Sequence, residues 1–243
     1  MTVSGFLLIN KPIGPSSHMV INVLRKKTGI KKIGHAGTLD PFASGLMICG
    51  VGREATKRLG DFIKLDKEYE AEIILGAESD TFDCKGVIKE RKIKERPSLG
   101  DVKKSLDKFT GQYKQYPPRY SAKKIAGKKM YELARKNIDF VIEPKLINVY
   151  SLELLEYSWP RLKIKTKVSS GTYIRSLAFD LGAFLGVGAY VDKLVRLSIV
   201  GAPLKKSLEL DDIDQANWPK KLKSQKQIER LLKGKKWPKW WNW

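Results

Sequence analysis

The chain has 243 residues, of which 42% are hydrophobic, so it can bury a full core as one large domain or slightly more. Its 47 Lys and Arg against 26 Asp and Glu give a formal net charge of +21, which indicates a polyanionic partner, nucleic acid first and an anionic membrane second. No run of 18 apolar residues and no signal peptide is visible, and the two cysteines form no metal or disulfide pattern, so we expect a cytoplasmic protein.

The first elements predicted are a buried strand and a helix. Residues 5–10 form an apolar run that is followed by a turn rich in Pro and Gly over 11–15. Ser16 or Ser17 can cap the helix that follows, and Gly29 ends it.

Residues 34–45, Gly-His-Ala-Gly-Thr-Leu-Asp-Pro-Phe-Ala-Ser-Gly, form a loop of defined shape that we call the Asp40 loop. Three glycines and a proline exclude a helix or a central strand. Asp40 is the single carboxylate of the loop, and Pro41 forces it into an extended conformation. A buried strand follows over 46–51. From these residues alone, a turn is the commoner outcome and a functional site the alternative.

The next predicted elements are a helix over 53–64 and a strand over 67–75. The strand alternates, with Tyr69 at its start on the apolar face, as a core or rim residue. An acidic loop over 76–86 does not have the spacing of a calcium-binding loop and indicates turn chemistry. A helix is predicted over 97–109.

Residues 112–137 combine six lysines and two arginines with four tyrosines and one acid, Glu132. Cations interleaved with aromatic rings suit phosphate contact and base stacking. A solvated loop and helix is the alternative.

A strictly alternating strand is predicted over 162–168, with three lysines on a face that meets either RNA or water. Thr172 can cap a helix that follows it. Arg175 would then lie in the first turn, where the helix dipole disfavours a cation, so a carboxylate is expected nearby.

The motifs at 34–45, at 112–137 and at 171–177 (Gly-Thr-Tyr-Ile-Arg-Ser-Leu) resemble, in this order, those of the TruB family of pseudouridine synthases, which act on the uridine of the T-loop of tRNA. The segment 187–203 resembles the last core segment of the family, but one arginine of an expected pair is missing beside Arg196. The resemblance covers about residues 5–212.

The resemblance implies roles for individual residues. Asp40 would be the catalytic residue, and Arg175 would pair with it. Tyr69 would stack on the target base, and Tyr173 would border it. His35 would insert near the loop that the base leaves, and Lys11 would support the Asp40 loop. The RNA-binding cations expected on the mobile thumb segment, residues 112–142, are Arg119, Lys123, Lys124, Lys128, Lys129 and Arg135.

The resemblance also implies the fold and the domain organisation. We expect an α+β fold with one mixed, largely antiparallel sheet that is flanked by helices and crossed by a central RNA-binding cleft. Residues 1–212 would form the catalytic domain. Residues 213–243 would form a short basic tail rich in tryptophan, too short for a full domain of the PUA type. The tail tryptophans would either dock on the core or bind tRNA.

The implied reaction is the isomerisation of uridine to pseudouridine at position 55 of tRNA, without cofactor or metal. The implied protein is a monomer that binds the T-arm of tRNA and needs no guide RNA, no membrane and no obligate protein partner. Two alternatives remain: a guide-RNA-dependent synthase of the same superfamily, and a non-catalytic RNA-binding protein on the same scaffold.

Overall fold

A computed structural model describes residues 3–125 and 127–232. The chain forms two compact units, of which the first comprises residues 1–69 with 195–243 and the second residues 70–194. The chain leaves the first unit within one strand, Lys67–Leu75, and returns to it within another, Ala189–Ile199.

The elements follow one another in this order: β1 Gly5–Lys11, α1 Ser17–Thr28, β2 Ile33–His35, β3 Ser44–Val51, α2 Arg53–Lys57, α3 Leu59–Ile63, β4 Lys67–Leu75, β5 Ala77–Ser79, β6 Ile88–Glu90, α4 Leu99–Lys108, β7 Gly111–Gln115, β8 Lys124–Ile125, β9 Lys128–Lys129, α5 Met130–Arg135, β10 Lys145–Ser158, β11 Arg161–Val168, α6 Ile174–Phe184, β12 Ala189–Ile199, β13 Ala202–Pro203, α7 Trp218–Lys221 and α8 Gln225–Leu232. Two short 3-10 helices, Leu204–Lys206 and Leu210–Asp212, precede α7.

In the first unit, β3 is the central strand. It pairs antiparallel with β1 and β2, and parallel with the end of β12. Nearly every residue of β1 and β3 is buried, as their continuous apolar sequences predict. Side chains of these strands and of helices α2, α3 and α8 form one core. Its members include Phe6, Leu8 and Ile48 from the strands and Ala55, Leu59, Phe62, Ile228 and Leu232 from the helices.

The described part of the C-terminal segment belongs to this unit. Phe6 and Lys223 exchange both backbone hydrogen bonds at 2.8 Å, which joins the segment to β1. Trp218 is buried, as are Ile228 and Leu232 of α8. The remaining tail tryptophans, at 237–243, lie outside the described residues.

In the second unit, β10 pairs antiparallel with β7 and with β11. Hairpins β5–β6 and β8–β9 are also antiparallel. Strands β4 and β11 bury alternate residues, as their sequences predict. Together with the parallel pairing of β12 with β3 in the first unit, these pairs confirm the predicted mixed, largely antiparallel architecture with helices.

Two local predictions were wrong. The helix expected over 53–64 is two helices, because Arg58 donates to Ala55 in a tighter turn and ends α2. Thr172 does not cap α6, which begins one residue later and has Tyr173 at its N-cap without a side-chain cap bond. The caps predicted by Ser16 and Gly29 are present on α1.

Ile228→Ala should lower the free energy of unfolding by about 2–4 kcal/mol, because the side chain is fully buried and its truncation leaves a cavity. Denaturant unfolding followed by circular dichroism measures the change. Lys226→Ala, at an exposed position of the same helix, is the control and should change stability by less than about 0.5 kcal/mol. Equal effects of the two substitutions would contradict the packing of α8 on β1.

Candidate active site

The register of β1 against β3 places Lys11 opposite Gly45, at the end of the Asp40 loop. The Lys11 side chain is fully buried. Its ammonium donates to the carbonyls of Ala43 at 2.6 Å, Pro12 at 2.8 Å and Pro41 at 3.4 Å. A buried cation thus bonds the loop on the C-terminal side of Asp40.

Burial lowers the pKa of Lys11 from 10.5 to about 8. The charge of Asp40 opposes this shift by favouring the ammonium form, and the charge of Arg196 adds to it. Asp40 and Lys11 therefore interact electrostatically beneath the loop.

Arg196 is the second buried cation of the loop, with an exposed fraction of 1%. Its Nε donates to Leu46 O at 2.6 Å, and its two Nη atoms donate to Gly37 O at 3.2 Å and Thr38 O at 3.5 Å. The planar guanidinium suits this set of carbonyls, which a single ammonium could not bond in the same way.

The position of Arg196 explains why residue 45 of the loop is a glycine. The parallel register sets Arg196 beside Gly45, which has a φ of +111°. A Cβ at Gly45 would overlap the backbone of Arg196. Glycine is therefore required for both conformation and space at the point where β12 joins β3.

The neighbours of Asp40 are fixed on both sides. Ser17 Oγ donates to Leu39 O at 2.9 Å and accepts from Leu39 N–H at 2.8 Å. Pro41 O accepts from Gly14 N–H at 2.8 Å. Asp40 itself is half-buried, and its carbonyl accepts from Ala43 N–H at 3.1 Å. The carboxylate is thus carried on a backbone that is held immediately before and after it.

His35 is the second residue of the Asp40 loop, and strand β2 ends at it. Burial and then the charge of Arg196 lower the pKa of its imidazole, so the neutral form prevails at pH 7. Its Nδ1 is buried and has no hydrogen-bond partner among the described residues. The ring is therefore neutral at pH 7, and its Nδ1 is shielded from solvent.

Tyr69 lies on the buried face of β4, with an exposed fraction of 8%. Its predicted alternation with Ala71 and Ile73 is confirmed, since all three are buried. The position suits a rim tyrosine as well as a stacking partner.

In the second unit, Arg175 is buried in the first turn of α6. Its guanidinium pairs with Asp83 Oδ2 at 3.1 Å and donates to Thr81 O at 2.9 Å and Tyr120 O at 2.9 Å. The carboxylate expected near this cation is therefore present, on the loop that was interpreted as turn chemistry. The pairing of Arg175 with Asp40, which the resemblance implies, joins residues of different units and stays a prediction.

Tyr173 is held through its backbone. The side-chain amide of Gln115, itself buried, accepts from Tyr173 N–H at 2.8 Å and donates to Tyr173 O at 3.1 Å. Gln115 also donates to Tyr113 OH, which donates to Asp180 at 3.3 Å. Burial raises the pKa of Asp180 to about 6 and the pKa of Tyr113 well above its usual range.

The thumb segment is joined by hydrogen bonds to the start of helix α6 at three places. Gln115 bonds Tyr173, Ser176 Oγ donates to Tyr116 O at 2.7 Å, and Arg175 donates to Tyr120 O. These bonds involve residues 115–120, in the N-terminal part of the segment.

Four of the six predicted RNA-binding cations of the thumb segment have contacts within the protein. Arg119 pairs with Asp139 at 3.2 Å, and Lys123 donates to Glu143 O at 3.4 Å. Lys129 and Arg135 lie over the ring of Tyr131 at 5.4 and 5.5 Å.

Lys124, Lys128 and Arg135 are exposed, as RNA contact requires.

In the described part of the chain, no group of three or more His, Cys, Asp or Glu side chains could hold a metal ion. Within the same residues, no helix is long and apolar enough to cross a membrane.

Residues 25–174 match the family model of the TruB family pseudouridylate synthase (N terminal domain). The chain belongs to this family. It is 48% identical over 195 residues to tRNA pseudouridine synthase B of Protochlamydia amoebophila (strain UWE25), covering 80% of this chain and 73% of the relative. It is 42% identical over 214 residues to the protein of the same name in Chlamydia muridarum (strain MoPn / Nigg), covering 88% of each.

Solved structures agree on the fold. A chain of a Cbf5-Nop10-Gar1 complex is 26% identical with a TM-score of 0.69, over 94% of this chain and 58% of that one. A chain of an H/ACA RNP bound to a substrate RNA containing 2'-deoxyuridine is 25% identical with a TM-score of 0.64, over 86% of this chain and 51% of that one. This chain therefore spans between half and three-fifths of these neighbours, and the expected family and fold are confirmed.

The sequence did not predict the roles of three residues of these sites. Arg196 was noted only as half of an expected pair, although a lone arginine inside an apolar strand pattern is itself a sign of a buried role. Asp83 and Gln115 carry no local sign, because Asp83 meets its partner 92 residues away and Gln115 meets its partner 58 residues away.

Lys11 should titrate near pH 8, whereas exposed lysines titrate near 10.4. Between these values the folded chain holds a neutral amine and the unfolded chain an ammonium, so this group makes stability rise with pH over that window. Nuclear magnetic resonance of ¹³Cε-labelled lysine measures the midpoint. Lys11→Arg assigns the signal by its loss, and Asp40→Asn should move the midpoint lower. A chain in which every lysine titrates above pH 10 would contradict the burial of this cation.

Asp83→Asn should lower the free energy of unfolding of the second unit by about 3 kcal/mol, because it removes the carboxylate from a buried ion pair. Chemical denaturation is the measurement. Asp80→Asn is the control in the same loop, since Asp80 is exposed and accepts one backbone bond, from Val87. An effect no larger than that of the control would show that the pair is unimportant for stability.

Proposed function

We propose that this protein isomerises uridine to pseudouridine in tRNA, at position 55 of the T-loop, with Asp40 as the nucleophile and without a guide RNA. The carrying observation is the Asp40 loop: a half-buried carboxylate, in a backbone held before and after it, above two buried cations. The family and the curated relatives, which are named tRNA pseudouridine synthase B, support the tRNA substrate. The net charge of +21 suits a polyanion.

The reaction proceeds on a uridine that has been turned out of the loop stack, because its reacting atoms are otherwise shielded. Asp40 attacks the nucleoside, at the base or at the ribose, and the bond between N1 of uracil and the ribose breaks. Uracil turns, C5 bonds to C1′ of the ribose, and the bond to Asp40 breaks, which regenerates the carboxylate. C5 then loses its proton and N1 gains one. Atoms balance without a cofactor, since the product is an isomer of the substrate.

The charges beneath the loop favour this role. A nucleophilic carboxylate must be ionised, and a nearby cation keeps the pKa of a carboxyl group low. Lys11 is the described cation whose pKa responds to Asp40. Because its ammonium also bonds Pro41 O and Ala43 O, it both supports the loop and favours the charged form of Asp40.

The other residues have supporting roles in this proposal. Tyr69 stacks on the flipped base, and Tyr173 lies beside it and accepts a proton. His35 enters the space that the base leaves, for which a neutral ring is suited because no charge has to be desolvated. Arg175 pairs with Asp40. The exposed cations of the thumb segment bind RNA phosphates.

A guide-dependent synthase is the second candidate, because the solved neighbours are ribonucleoprotein or Cbf5 complexes. The greater identity to relatives named tRNA pseudouridine synthase B, 42–48% against 25–26%, favours the stand-alone enzyme. An assay with the purified protein and a T-arm transcript alone separates the two. Product formation without added RNA or protein supports the stand-alone reaction.

Asp40→Asn should reduce turnover by many orders of magnitude while tRNA affinity changes by no more than a few-fold, because the nucleophile is lost and the binding surface remains. Release of tritium from C5-labelled uridine in tRNA measures turnover. Asp211→Asn is the control: it removes the same charge from a fully exposed carboxylate of the same unit and should keep wild-type activity. Activity of Asp40→Asn within tenfold of wild type would remove Asp40 from its role.

A further inference from the structure

The second unit contains a cavity of about 460 Å³ that the proposed reaction does not use. Four parts of the chain enclose it: the end of β4, the β5–β6 hairpin with the chain that follows it, the turn between β10 and β11, and the start of β12. Its volume is in the range of pockets that bind small ligands or one nucleotide. The lining side chains that matter are Trp159, Tyr190, Arg91, Lys94, Arg96 and Glu90. We call it the Trp159 cavity.

Backbone hydrogen bonds fix the walls of the Trp159 cavity. Leu75 N–H donates to Pro160 O at 2.9 Å, and Gly76 N–H donates to Gly188 O at 3.1 Å. Arg91 N–H donates to Gly76 O at 2.9 Å. Each bond joins two of the enclosing segments, so the cavity is formed before any ligand binds.

The indole of Trp159 packs against Gly76. Gly76 has a φ of +89°, and a Cβ at this residue would lie 3.1 Å from Cζ2 of Trp159. The positive φ favours glycine here, and a larger residue would crowd the indole. The Arg96 guanidinium lies 5.9 Å from the centre of the indole ring, and Tyr190 supplies a second aromatic side chain to the lining.

The charge of the lining is positive. Three cations, Arg91, Lys94 and Arg96, stand against one carboxylate, Glu90. Arg91 also pairs with Glu78 at 2.8 Å, which leaves Lys94 and Arg96 as the cations best able to meet an anion. Aromatic rings beside such cations form the chemistry that binds single-stranded nucleic acid, in which rings stack on bases and cations bind phosphates.

We propose that the Trp159 cavity binds an unpaired nucleotide of the RNA substrate, with its base on the aromatic side chains and its phosphate at Lys94 and Arg96. This inference rests on the proposed function for the presence of RNA. It adds a contact made by a nucleotide other than the reacting uridine, because none of the lining residues belongs to the Asp40 loop, the thumb segment or the Arg175 site.

The test is the equilibrium affinity of the full-length protein for unmodified tRNA, with salt titration. Trp159→Leu should weaken binding by roughly 5- to 100-fold, the loss expected for one stacked base. Trp159→Phe keeps an aromatic ring and should stay within about threefold of wild type. Turnover of both variants at saturating tRNA should equal that of wild type, because the reacting uridine is bound elsewhere.

A pair of lysines supplies the matched charge control. Lys94 lines the cavity, whereas Lys92, two residues earlier and exposed, does not. Lys94→Ala should make the slope of log affinity against log salt shallower by roughly 0.7–0.9, the value for one phosphate contact. Lys92→Ala should leave the slope unchanged.

The outcomes separate this inference from the proposed function. Folded Trp159→Leu with wild-type affinity, or equal slopes for Lys94→Ala and Lys92→Ala, would overturn the nucleotide site. If Trp159→Leu fails to fold, the two lysine variants decide. A wild-type protein that binds tRNA but releases no tritium would refute the proposed reaction and leave the binding comparison valid.

Discussion

The geometry of the Asp40 loop depends on two buried cations that are bonded by backbone carbonyls. Lys11 and Arg196 together donate to six carbonyl oxygens, five of which belong to residues of the loop or of the strand that it enters. Burying a charge is costly unless its donors are satisfied. Because the carbonyls satisfy them, the cations hold the loop without needing a second carboxylate. Asp40 is then the acid of the loop that interacts with the charge of Lys11.

The second unit uses an arginine in another way. Arg175 bonds a carboxylate and two carbonyls that come from the acidic loop and from the thumb segment. Ser176 and the backbone of Tyr173 bond the neighbouring part of the thumb segment. The start of α6 is therefore hydrogen-bonded directly to the N-terminal part of the thumb segment. A movement of that part would displace Tyr173 and Arg175.

The sequence was most informative where a pattern is local. The alternation in 67–75 and 162–168, the apolar runs at 5–10 and 46–51, and the Ser16 cap all depend on residues near one another in the chain, and all are confirmed. Family membership also followed from a local motif. The break at Arg58 was not predictable, because an apolar periodicity continues through it.

The contacts that form the site could not be predicted from local patterns. Arg196 bonds carbonyls about 150 residues earlier, and a carbonyl acceptor has no signature in a sequence. Asp83 looked like turn chemistry because it does accept backbone bonds of its own loop, from Lys85 for example, in addition to its pair with Arg175. A residue with both a local and a distant role shows only the local one in its sequence.

The discontinuity of the first unit has a consequence for synthesis on the ribosome. Residues 70–194 are continuous, so every internal partner of the second unit has been translated once residue 194 has emerged. The first unit lacks Arg196, and the helix that packs on β1, until the whole of the second unit has been translated. Its folding therefore waits for long-range contacts, which are slow to form. The Asp40 loop therefore lacks one of its two buried cations in any nascent chain that has not reached residue 196.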